Sequence, residues 1–209
     1  MRRFIIGLII ILVIPAAALS AHPHMFIDMK LTPVFSEDGF EGMQVNWLFD
    51  MVFTGSVLMD NGISWTDSFT KNEIEIIRDS SFVNLINYNY FTYFNAGGKI
   101  SRAETYSNFS AYISDDRLGY DFFLPYEGSR ASANEIRIAV YDDTFFCDIA
   151  FTEETPVILE APAGTDIEWE LSENLDAPIF YDNTAQMISR DGAEYSGQSF
   201  PVELVLTRK

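Results

Sequence analysis

Histidine is almost missing from this sequence, and cysteine is nearly so. His22, His24 and Cys147 are the whole supply of both residue types. A single cysteine excludes an internal disulfide. With imidazole confined to residues 22–24, Ser–His–Asp catalysis would have to use one of those two histidines. Positive charge is scarce as well: 13 Lys and Arg face 31 Asp and Glu, for a net charge of −18. Such a balance opposes nucleic acid or an anionic membrane surface as partner, and it attracts cations. No nucleophile elbow, phosphate-binding glycine loop or HExxH motif is present. The chain therefore reads as a non-enzyme, with no catalytic residue to assign. Internal repeats and low-complexity tracts are absent too.

The N-terminus reads as an export signal. Arg2 and Arg3 form a basic start, Phe4 to Ile14 is unbroken apolar sequence, and Pro15 and the small residues of PAAALSA follow. The apolar run is short for a membrane span, which takes about 20 residues. Cleavage fits after Ala21, which would make His22 the first residue. It also fits after Ser20, which would leave Ala21 in front. The expected location is periplasmic or otherwise exported, with residues 22–209 forming one β-rich domain.

Alternating apolar and polar residues, rich in aromatic and β-branched types, predict a mainly β fold. MFIDMKLTPVF is a first strand and EDG (Glu37 to Gly39) a turn. FEGMQVNWLFDMVF is a second strand, with Val45, Trp47 and Phe49 on one face. ASANEIRIAVYD and TFFCDIAFTE predict a later strand pair turned at Asp142–Asp143. PVILEA, TDIEWELS and FPVELVLTR predict further strands. Between the halves, Thr70 with Glu73 three residues on is a capping box. Ile74, Ile77, Phe82, Leu85 and Ile86 then recur at helical spacing. The expected architecture is a β-sandwich with one or two helices inserted after the second strand, and residues 172–199 as a surface excursion.

The stretch HPHMFID concentrates the chemistry. On a strand, His24, Phe26 and Asp28 share a face, and His22 joins them if the extended geometry reaches it. Pro23 favours that extension. Two imidazoles and a carboxylate can hold a common transition ion, whether zinc, copper or nickel. A free N-terminal His22 could chelate with its amine as well. Pro23 has no N–H, which excludes the planar site that needs a deprotonated second amide. The alternative is a polar leader left after cleavage. Asp50, at the end of NWLFDMVF, is either a carboxylate supporting such a site or a strand-end turn residue. Asp142 and Asp143 either serve a turn or add a ligand. Cys147 reads as a buried, inert thiol. In MDNGISWTDSFTKNE, Asp60, Asn61 and Gly62 are consecutive, so calcium-loop spacing fails.

AHPHMFID after an export signal, then MQVNWLFDMVF, INYNYFTYF and IRIAVYDDTFF, resembles the domain of unknown function 1007 family. The resemblance implies an exported accessory protein, labelled as the periplasmic component of an ABC-type transport system, that serves transition-metal traffic. It implies zinc, nickel or cobalt as the ion, to which the imidazole chemistry adds copper, and an inner-membrane metal permease as partner. By motif, it carries over onto His22, His24, Asp28, Trp47, Asp50, Tyr141, Asp142 and Thr144. The rival expectation is a non-catalytic envelope interaction module without metal. A copper oxidase built on a histidine brace is disfavoured, because no distant imidazole exists to complete it.

Overall fold

A computed structural model describes residues 24–128, 134–180 and 198–209. The predicted export signal, both predicted cleavage points and His22 lie outside these residues, as does most of the predicted 172–199 excursion. The fold is mainly β, with two five-stranded sheets and inserted helices. β1 (Met25–Ser36) and β2 (Gly39–Phe49) form an antiparallel hairpin across the Glu37–Asp38 turn. Ile27, Met29 and Leu31 alternate inward on β1, and Met43, Val45, Trp47 and Phe49 on β2. This is the period-2 pattern of a half-buried sheet.

α1 (Met51–Asp60) follows immediately. The second strand therefore stops at Phe49, and the predicted continuation through DMVF is a helix instead. Asp50 is the reason. Its carboxylate accepts from the backbone N–H groups of Val52 and Phe53, at 2.8 Å each, and so caps the helix. α2 (Lys71–Ser80) carries the predicted capping box: Glu73 N–H donates to Thr70 Oγ1, and Thr70 N–H donates back to Glu73. The helix does not run on regularly. A 3-10 helix, Phe82–Phe91, takes over and ends in Asn89, Tyr90 and Phe91, all with left-handed backbone.

β3 (Thr92–Ala96) and β4 (Lys99–Arg102) make a second hairpin. β5 (Ser107–Ser114) and β6 (Arg117–Pro125) make a third. β7 (Glu135–Val140), β8 (Cys147–Phe151), β9 (Ile167–Glu173), the short β10 (Ile179–Phe180) and β11 (Gln198–Ser199), and β12 (Val202–Arg208) complete the chain. The first sheet has the order β5-β6-β2-β1-β8 and the second β4-β3-β7-β12-β9. β7 and β8 are thus not the predicted pair. The Asp142–Asp143 region carries the chain from one sheet to the other. β8 pairs parallel with β1, Met25 opposite Cys147. PVILEA forms isolated bridges, Leu31–Val157 and Val34–Glu160, rather than a strand.

The inner faces of the sheets meet in one aromatic core, seen in Phe40 against Phe94 and Tyr126, and in Trp47 against Phe91 and Phe122. Among the described residues, no helix is long and apolar enough to cross a membrane.

Gly42 is a fixed point of the β1–β2–β6 contact. Its φ is +148°, and an added Cβ would lie 2.3 Å from the Leu124 carbonyl oxygen. Gly42→Ala is expected to lower stability by about 1–3 kcal/mol, through strain and a displaced β6. Urea unfolding checks this, and an unchanged midpoint would contradict it.

Candidate functional site

Of the predicted site residues, Asp50 bonds directly to the backbone at the head of β1. Asp50 Oδ2 accepts from the Phe26 N–H at 2.7 Å, while the Asp50 N–H donates to the Phe26 carbonyl at 3.0 Å. One carboxylate thus holds Phe26 and caps α1 at once. From the other side, the Phe146 carbonyl accepts from the backbone N–H groups of His24 (2.9 Å) and Met25 (3.2 Å). The rings of His24 and Phe146 lie 5.1 Å apart.

Asp142 shapes the segment that delivers that carbonyl. Its Oδ1 accepts from the Thr144 N–H and hydroxyl at 2.9 and 2.7 Å. Its Oδ2 accepts from the Cys147 N–H at 3.0 Å. This is an Asx turn closed by a further bond. A buried carboxylate with three donors has its desolvation offset. Tyr141 stacks on Tyr93 at 4.6 Å, and its N–H donates to the Phe91 carbonyl. Trp47 lies wholly in the core.

Asp28 faces outward and pairs with Arg117, Oδ2 to Nη1 at 2.7 Å. The same guanidinium donates to the Phe49 and Leu48 carbonyls. Of the sequence-predicted set, Asp50 bonds the backbone of Phe26, Asp142 orders the segment whose Phe146 carbonyl meets His24 and Met25, and Asp28 stands one turn of the pleat beyond. His22 lies outside the described residues. Among the described residues, no three His, Cys, Asp or Glu side chains cluster closely enough to hold a metal ion.

Sequence reading missed two participants. Arg117 gave no local signal, because its partners are 68 to 89 positions away in the chain and only the β2–β6 register brings them together. Asp148 pairs in register with Phe26, so it leaves the sheet on the outer face shared with Asp28. The alternation in CDIAF carried that signal, once a parallel partner was known.

Cys147 is buried, and its thiol sits 3.8 Å from the Met25 sulfur. Burial, and then the Asp142 carboxylate, push its titration well up, so it stays a neutral thiol.

The chain belongs to the family described as protein of unknown function (DUF1007), whose model matches residues 7–207. It is similar to an uncharacterized 15.5 kDa protein in the trpE 3' region of Spirochaeta aurantia, 32% identical over 108 residues that cover 52% of this chain and 77% of that one. It is also similar to an uncharacterized protein of Haemophilus influenzae, 25% identical over 164 residues, covering 75% and 78%. No solved structure matches the chain.

Asp50→Ala removes a helix cap and frees the Phe26 N–H. It is expected to cost about 2–3 kcal/mol and to speed hydrogen exchange at Phe26. Urea unfolding and amide exchange check both, and a wild-type Phe26 rate would contradict the clamp. Cys147 yields a pH prediction. An unfolded thiol titrates near 8.5, whereas the folded one keeps its proton above that pH. Unfolding then releases a proton, so stability falls as pH rises past about 8.5. Cys147→Ala should flatten this decline between about pH 8 and 9.5, measured by urea titrations across the range.

Proposed function

We propose that this DUF1007 family member is an exported, periplasmic protein that binds a transition-metal ion (zinc, nickel, cobalt or copper) and assists its transport through an inner-membrane permease. It acts by binding rather than by catalysis. The imidazoles of His22 and His24 are the ligands. Asp28, Asp50 and Asp142 are supporting carboxylates.

The clamp on residues 24–26 is the observation that supports this reading. Asp50 and the Asp142-shaped segment spend hydrogen bonds on fixing the backbone at His24 and the residues that follow it. A polar leader needs no such anchor. A metal site does, because ligands held in position lose less freedom when the ion binds. Asp148, on the outer face beside Phe26, adds negative charge near the head of β1, and the acidic chain as a whole draws cations.

One observation favours a second reading, an envelope interaction module without metal. α1 exposes Met51, Val52 and Met59 to solvent. An exposed apolar helix face of this kind suits a protein partner.

Zinc affinity of the natively exported chain, measured by competition with a chromophoric chelator, separates the two. His24→Ala is expected to weaken binding by about tenfold or more, with an unchanged urea midpoint. Equal affinity in that variant would remove the metal reading and leave the interaction module.

A further inference from the structure

A cavity of about 390 Å³ opens between the inner face of the first sheet and the elements inserted after β2. Ile27 and Phe49 form its floor. Phe53 of α1, Leu85 and Phe91 of the 3-10 helix, and Phe146 form its walls. Close-packed interiors leave few voids larger than a water molecule. Ligand pockets run from about 300 to 1,000 Å³, so this space has the size of a small-molecule site.

Its wall is built at a conformational cost. Asn89, Tyr90 and Phe91 are three consecutive non-glycine residues with φ of 52°, 51° and 54°. Each such residue is unfavourable by about 1 kcal/mol or more. The run is pinned by Asn89 Nδ2 donating to the Ala103 carbonyl at 3.2 Å and by the Phe91 carbonyl accepting from Tyr141. Backbone strain that neighbours hold in place is concentrated at ligand sites. Here it turns Phe91 into the cavity wall.

The lining sets the chemistry. Most of it is hydrocarbon. Asp142 reaches the cavity edge, but its oxygens already serve Thr144 and Cys147. A fixed negative charge in an apolar wall repels an anionic ligand. Trp47 stands behind the lining, fully buried, and backs it with an apolar ring. Tyr88 and Phe146 stand half-exposed at the rim, where aromatic rings present an apolar entrance.

We propose that this cavity binds one neutral, apolar small molecule. The proposal does not depend on metal at the head of β1.

The test uses the mature chain and the neutral dye N-phenyl-1-naphthylamine, followed by fluorescence. One dye per chain should bind, and methyl decanoate should displace it. Decanoate at pH 8 should displace it about tenfold less well or worse. Leu85→Trp fills the space from the helix side and should abolish dye binding, with circular dichroism unchanged. Several dyes per chain, or full binding to Leu85→Trp, would show adsorption on the exposed apolar surface and overturn the proposal. Equal competition by decanoate would overturn its neutral-ligand half. No dye bound would overturn all of it.

Discussion

The structure depends on how the first strand is started. A strand end frays unless its outward backbone groups are paired, because fixing each residue costs about 1–2 kcal/mol of conformational entropy. Here the Phe26 N–H and carbonyl are both taken by Asp50, and the His24 and Met25 N–H groups by the Phe146 carbonyl. Asp50 can do this only because it also opens α1, and the Phe146 carbonyl is in place only because Asp142 closes its turn. Two carboxylates, Asp142 buried and Asp50 half-buried, thus join a strand, a helix and a sheet-to-sheet crossing. The sandwich is registered at this corner.

The same crossing has two faces. Phe146 lies tilted against His24 on one side and lines the apolar cavity on the other. Asp142 and Cys147 reach a second cavity of about 400 Å³ as well, toward β9 and β12. A shift in residues 142–147 would therefore be felt at the head of β1 and in both cavities, since packed elements have discrete arrangements rather than continuous give.

Much of the β framework was legible. Alternation gave the inward faces of β1 and β2, and the Thr70–Glu73 pair gave the start of α2, because both signals are local. The end of β2 was misread for a reason equally local: MVF suits a strand, and only the bonds of Asp50 make it a helix. The pairing of β7 with β8 was misread because nearness in sequence stood in for nearness in space. Their true partners lie far away, β8 with β1 and β7 with β3 and β12. At the site, the sequence marked His24, Asp28, Asp50 and Asp142 as notable. It could not say that Asp50 and Asp142 act on backbone amides, nor that Asp28 answers Arg117. Those roles belong to tertiary register, which no spacing along the chain encodes.

The parallel seating of β8 beside β1 also bears on the order in which the chain can form. β1 and β2 are joined by a tight turn and can pair as soon as both exist. The other edge of β1 waits for residues more than a hundred positions later, and closing so long a loop is slow. A chain made from its N-terminus therefore carries its first strand half-clasped until Cys147–Phe151 has emerged. The segment beside the histidines is the last part of that sheet to lock.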